Sequence, residues 1–184
     1  MVCTAPHDES IEVYSNCREV ELFLNDKSVG RQTKHDDASP RVWRIEFAPG
    51  TLKAVGYDVL LVTNELRTAE SPVKIVLSAD RSQVAHEWDD VVCVTATVVD
   101  ANGVVVPRAS SLISFEISGP GVVAAVDSAD NASHELFQAK ERHAFQGRCV
   151  AYVKATAATG NIVLTASAPE LKSASVTLTA TAPK

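Results

Sequence analysis

Apolar and polar residues alternate in short runs along this chain, and residues of turn type separate the runs. The clearest runs are 42–47, 92–98, 114–117 and 175–180. In the second, Val92, Val94, Ala96 and Val98 fall on one side, while Cys93, Thr95 and Thr97 fall on the other. A period of two buries one face of a strand and leaves the other wet. Such strands, recurring with turns between them, predict antiparallel sandwiches and not an α/β enzyme. The one helical turn the pattern suggests lies within 134–140.

A boundary falls at Ser71–Pro72, because proline cannot donate to a central ladder and here interrupts two strand-like runs. The expected fold is all-β, with two tandem immunoglobulin-like β-sandwich domains at 1–71 and 72–184. In the first, 11–14, 20–24, 42–47, 52–57 and 59–63 read as strands, with Asn25-Asp26-Lys27 and Pro49-Gly50 as turns. Trp43, Ile45 and Phe47 share a face and are expected in its core. In the second, Asp100-Ala101-Asn102-Gly103 and Gly119-Pro120-Gly121 are strong turn signals. Ile113, Phe115 and Ile117 point inward, and a long polar stretch at 127–147 precedes three further strands. Seven strands with one long loop predict an immunoglobulin-like sandwich.

Composition narrows the function more than the fold. Hydrophobic residues make up 46% of the 184, which is normal for a folded chain. The formal net charge of −6 argues against nucleic acid or an anionic membrane as partner. No apolar stretch approaches the roughly 18 residues a spanning helix needs. The start Met1-Val2-Cys3-Thr4 lacks a basic, apolar leader, so no signal peptide is expected. Cys3, Cys17, Cys93 and Cys149 make no C-x-x-C motif. Cys149 shares a face with Ala151 and Val153 and reads as a buried thiol. A Cys3–Cys17 bridge is the one disulfide weighed, and the redox compartment stays open. No cofactor is implied.

Two segments carry candidate chemistry. Trp88 sits between Glu87 and Asp89 in a polar turn. A tryptophan beside carboxylates suits stacking on a sugar face with hydrogen bonds to its hydroxyls. The competing reading folds the ring onto its own domain or an interdomain contact. The loop 127–147 holds Asp127, Asp130, His134, Glu135, Glu141, Arg142 and His143. These are metal-ligand and acid/base residue types, but their spacing fits no zinc or EF-hand pattern. The structural reading has Phe137 and Phe145 anchoring the loop while Arg142 pairs with a carboxylate inside it. No Ser-His-Asp or Cys-His arrangement and no phosphate-cradling glycine loop is present.

Particular residues add a resemblance. The run Val13-Tyr14-Ser15-Asn16-Cys17, then Val20-Glu21-Leu22-Phe23-Leu24-Asn25, Lys27-Ser28 and Gly30, resembles the immunoglobulin-like domain that follows the catalytic barrel in bacterial glycoside hydrolase family 2 enzymes, which are β-galactosidase-like. Residues 49–55 and Arg67-Thr68-Ala69 continue the likeness. Ala79-Asp80-Arg81, Gly119-Pro120-Gly121, Ser133-His134-Glu135, Phe137, Arg142, Phe145 and Gly147 resemble the C-terminal domain of the same enzymes. This chain departs from that pattern at Ser128-Ala129-Asp130, where the family carries Asn-Gly-Asp, so the turn must be built without its glycine. Asp26 likewise replaces a glycine. The resemblance implies a non-catalytic accessory region that scaffolds the catalytic barrel of the same polypeptide. The catalytic carboxylates belong on a (β/α)₈ barrel of about 250 residues, which this chain cannot contain. Two alternatives remain: a carbohydrate-binding module using Trp88, and an immunoglobulin-like spacer on a cell surface.

Overall fold

The structure, a computed structural model, describes residues 7–183. It divides into two compact units, 1–68 and 69–184. Every regular element is a strand; among the described residues there is no helix. The helical turn expected within 134–140 is absent. A single tight turn at 137–138 occupies that segment instead, closed by the Ala139 amide donating to the Leu136 carbonyl at 3.3 Å.

The first unit holds β1 (Asp8–Val13), β2 (Glu19–Leu24), β3 (Lys27–Thr33), β4 (Arg41–Glu46), β5 (Thr51–Tyr57) and β6 (Val62–Arg67). A four-stranded sheet in the order β3-β2-β5-β6 accompanies a two-stranded sheet, β1-β4. Their shared core is small: Val20, Leu22 and Trp43 are buried, with Ile11, Val13, Val29, Ile45, Leu52 and Ala54 packed around them. Phe47 lies just past β4 and outside that core, half-buried, with its ring stacked on His7 at 5.1 Å. Hairpin β2–β3 turns on Asn25 and Asp26, both in the left-handed region (φ 51° and 62°), as a two-residue hairpin turn demands. Asn25 then reaches the next turn: its amide donates to the Pro49 carbonyl at 3.0 Å and its Oδ1 accepts from the Thr51 amide at 2.9 Å. Gly50 is required beside it. A Cβ there would lie 1.8 Å from Asn25 Oδ1, and its φ is 137°.

Strand β6 starts at Val62, three residues later than the sequence pattern suggests. Asp58–Leu61 is spent on the turn, and the pairing runs from Gly56↔Val62 to Thr51↔Arg67. Apolarity misplaced this boundary, because Val59, Leu60 and Leu61 read as strand yet stand in solvent.

The second unit holds β7 (Lys74–Ala79), β8 (Gln83–Ala85), β9 (Val92–Val99), β10 (Leu112–Ser118), β11 (Gly121–Asp127), β12 (Glu141–His143), β13 (Arg148–Ala155), β14 (Gly160–Ala168) and β15 (Leu171–Thr181). One layer runs β11-β13-β9-β7 and the other β15-β14-β10-β12. The opening strand serves both layers: β7 runs antiparallel to β9, and β8 then pairs parallel with the end of β15. Between the layers lie Val92, Val94, Ala96 and Val98 from β9, Ile113 and Phe115 from β10, Cys149, Ala151 and Val153 from β13, and Ile162 and Leu164 from β14. The alternation in β9 and β13 therefore marks the buried face correctly, including the Cys149 thiol.

Two charged groups are buried as structural ties that the sequence did not flag. Asp100 is fully buried, and its carboxylate accepts from the amides of Glu70 (3.0 Å), Asn102 (2.9 Å) and Val104 (2.8 Å). The Glu70 amide, with further amides of the turn, holds its pKa below the usual carboxylate range against the opposing effect of burial. The residue thus shapes its own turn and also fastens the segment entering β7. Arg41, 2% exposed, donates to the carbonyls of Thr33, Ser15, Cys17 and Arg18 at 2.6–3.4 Å. Cys17 is a free, buried thiol. Its weighed partner Cys3 lies outside the described residues.

Candidate functional site

The loop between β11 and β13 is organised by Arg142. This residue sits in β12, a three-residue strand whose backbone pairs with the outer edge of β10, Ile113 opposite Arg142. Its side chain is 1% exposed. Nε donates to Ser128 Oγ at 3.1 Å, and one terminal nitrogen donates to the Glu135 carbonyl at 3.1 Å. The other meets Asp127 Oδ1 at 3.3 Å, and the Glu135 carboxylate lies 3.6 Å from Nε. A buried guanidinium is tolerable only when its fork is met in this way.

Glu135 is the second hub. Its Oε1 receives the His143 ring at 2.8 Å and the His143 amide at 3.3 Å, and its Oε2 accepts from Ser133 Oγ at 3.1 Å. Partial burial raises its pKa, but the His143 ring, the His143 amide and Ser133 together hold it below the usual value. Glu135 is therefore ionised at neutral pH and unsuited to act as a general acid. Asp127 is also committed: Oδ1 accepts from the amides of Ser128 (2.7 Å) and Ala129 (3.2 Å) as well as from Arg142. The cluster is a clamp that closes the loop, with both carboxylates already occupied.

The expected carboxylate pairing of Arg142 is present, but the phenylalanine anchors are not. Phe137 is 57% exposed and Phe145 41% exposed. Phe137 serves only as a lid, its ring centroid 5.4 Å from the Arg142 guanidinium carbon. The polar residue does the anchoring because its fork reaches a hydroxyl, a loop carbonyl and two carboxylates at once, which a phenyl ring cannot do. Ser133 and Glu135 join the clamp, whereas His134 lies exposed outside it. His143, seen in the sequence only as one of the loop's ligand types, is the partner Glu135 requires. Among the described residues no group of three or more His, Cys, Asp or Glu converges as a metal would require.

The missing glycine at Ser128-Ala129-Asp130 has a structural answer. Ala129 itself takes a left-handed conformation, φ 58°, under the two amide bonds to Asp127. For alanine that conformation costs roughly 1–2 kcal/mol, so the clamp must hold it.

Trp88 stands elsewhere, in the 86–90 turn between β8 and β9, and is 86% exposed. The ring does not fold onto its own domain. The turn beneath it is fixed: Asp90 pairs with Arg81 and accepts from the Ala85 amide at 2.6 Å, and Lys154 of β13 donates to the Trp88 carbonyl. Glu87 is half-buried and Asp89 exposed on either side. The Trp88 turn and the Arg142 clamp share no residue, so they are two features and not one site.

Comparison with known proteins now decides the family. The family described as glycoside hydrolase family 2 C-terminal domain 5 matches residues 75–177, more than half of the chain. The chain belongs to glycoside hydrolase family 2. A second family, a domain of unknown function (DUF4982), matches residues 8–59. Among curated family 2 relatives, a beta-galactosidase of Bacteroides ovatus is 34% identical over 91% of this chain and 20% of its own length. A beta-glucuronidase of Formosa agariphila is 28% identical over 92% of this chain and 18% of its own. A crystal structure of a family 2 member from Bacteroides cellulosilyticus matches with a TM-score of 0.87 and 35% identity, over 96% of this chain and 23% of that one. The chain thus spans about a fifth of the curated relatives it matches, and the family model it matches is that of a C-terminal domain.

Proposed function

We propose that this chain is the C-terminal accessory region of a β-galactosidase-like enzyme hydrolysing O-glycosidic bonds, and that it scaffolds the catalytic barrel of the same polypeptide. The observation that carries this reading is the match of nearly the whole chain to a C-terminal fifth of family 2 hydrolases. The loop chemistry supports it, because Asp127 and Glu135 are already held by Arg142. The two relatives differ in their sugar, so the proposal for the parent enzyme stands at the level of the O-glycosidic bond, with the beta-galactosidase the more similar of the two.

The test is turnover of chromogenic galactosides, glucuronides and mannosides by the pure chain and by the parent enzyme. The chain should match buffer while the parent turns over. Activity of the isolated chain that Glu135→Gln abolishes would overturn the proposal.

A second reading rests on one observation: Trp88 is presented to solvent on a turn pinned at Arg81, Ala85 and Lys154. Under it, Trp88 stacks on a sugar ring while Glu87 and Asp89 accept from its hydroxyls. One aromatic face supplies about 1–2 kcal/mol, short of the cost of immobilising a flexible glycan, so the affinity should be millimolar at best. Micromolar, saturable fluorescence quenching by galactose-containing oligosaccharides, lost in Trp88→Ala, would put this reading first.

A further inference from the structure

Among the described residues, the densest exposed apolar surface lies in the first unit and has no role in either candidate feature. Val59, Leu60 and Leu61, in the turn joining β5 to β6, are 92%, 76% and 68% exposed. Strand β6 continues the patch. Its pairing sets Val62 opposite Gly56 and Leu66 opposite Leu52. Directly paired residues point to the same side of an antiparallel sheet, so Val62 and Leu66 lie on the side where Leu52 packs into the core. They are nonetheless 51% and 65% exposed. The reason is the width of the layers. Four strands are faced by only two, and every residue of β6 remains exposed.

Five large apolar side chains are exposed within eight residues, three in the turn and two, Val62 and Leu66, on the core side of the sheet on either side of Asn64, and they form an unfinished hydrophobic layer. Contiguous exposed surface of this kind marks an interaction site. The nearby charges pair among themselves, Arg18 with Asp58 at 3.6 Å and both Lys53 and Arg67 with Glu65 at 3.5 and 3.4 Å, which leaves one positive charge, and the last three project from the face opposite to Val62 and Leu66. The surface therefore has little net charge to offer, and its complement must be apolar. Edge pairing with a second copy is the poorer fit, because charged Glu65 and Arg67 sit on the β6 edge, a standard block to strand addition.

We propose that the turn at 59–61 and the core-side face of β6 form the surface on which the catalytic part of the same polypeptide docks. This rests on the accessory-region reading above. The occupant follows from length: relatives that match this chain are about five times longer, and the chain matches a C-terminal domain of their family. Most of the polypeptide is thus available, at high effective concentration, to complete the layer.

The experiment compares hydrogen exchange and chymotrypsin cleavage in the parent enzyme with those in the isolated 184-residue chain. In the isolated chain, cleavage at Leu60 or Leu61 should be rapid. In the parent, that cut and the exchange of residues 58–66 should be slowed at least about tenfold, as expected where buried leucines anchor a contact. Leu60→Ser/Leu61→Ser should abolish that protection in the parent and leave the unfolding of the isolated chain unchanged. Equal exposure of 58–66 in both proteins, with other segments of this chain protected in the parent, would overturn the docking surface and leave the accessory reading standing. No protected segment anywhere would sink both. Protection of 58–66 in the isolated chain that grows with its concentration would assign the surface to a second copy, and so overturn the proposal.

Discussion

Replacing Arg142 with methionine tests whether the long loop is held by one buried cation. The stem of methionine retains most of the packing, while the guanidinium and its fork are lost. Removing one partner of a buried ion pair costs about 3–5 kcal/mol, mainly through the charge left behind. Here Asp127 and Glu135 keep 37% and 31% of their side chains exposed. Water can reach both, which places Arg142→Met at the lower end, about 3 kcal/mol. Arg142→Lys keeps the charge without the planar fork and should fall between the two. Urea unfolding followed by far-UV circular dichroism reads the loss in the second unit's transition. A double-mutant cycle with Glu135→Gln should give a coupling of about 1 kcal/mol or more. Phe145→Ala is the contrast. At 41% exposed it leaves no cavity, so it should cost about 1 kcal/mol and not the 3 or more of a buried phenylalanine. A loss below about 1 kcal/mol for Arg142→Met, with no coupling to Glu135, would refute the clamp.

Three further outcomes follow from the same geometry. Ala129→Gly should stabilise the second unit by about 0.5–1 kcal/mol, the relief of left-handed strain outweighing the added freedom of the unfolded chain; a lower denaturation midpoint would show that the turn is not strained. Glu135 has a folded pKa below its ordinary value, so its stabilisation is present above that value and is lost as pH falls through the folded one. The urea midpoint of the wild type should therefore drop more steeply below about pH 4.5 than that of Glu135→Gln, and parallel curves would discard the assignment. The Cys149 thiol, pushed up to about 12 by burial, should resist iodoacetamide under native conditions, while half-buried Cys93 labels ahead of it; peptide mass spectrometry that finds Cys149 labelled ahead of Cys93 would contradict the buried assignment.

The period-two pattern determined a great deal by itself. It marked the buried faces of β9, β10 and β13, the core positions of Trp43, Ile113 and Phe115, and the turns at Asn25-Asp26 and Asp100–Gly103. These are local facts: a strand's alternation and a turn's residue types are written in a few adjacent letters. The residues of the loop were legible as a resemblance, and Arg142 as a pairing residue. What the tertiary structure decided was which groups meet. Arg142 is buried because Ser128, Asp127 and Glu135 arrive from sequence distances of 7 to 15 residues. Asp100 is buried because Glu70, 30 residues away, donates its amide. Polar strands such as β3 and β12 were invisible to a hydrophobic pattern because a neighbouring strand's ladder, not their own side chains, holds them. The error at Val59–Leu61 runs the other way. Apolarity records the preference of a side chain for burial, and only the width of the opposing sheet decides whether this chain alone can provide it.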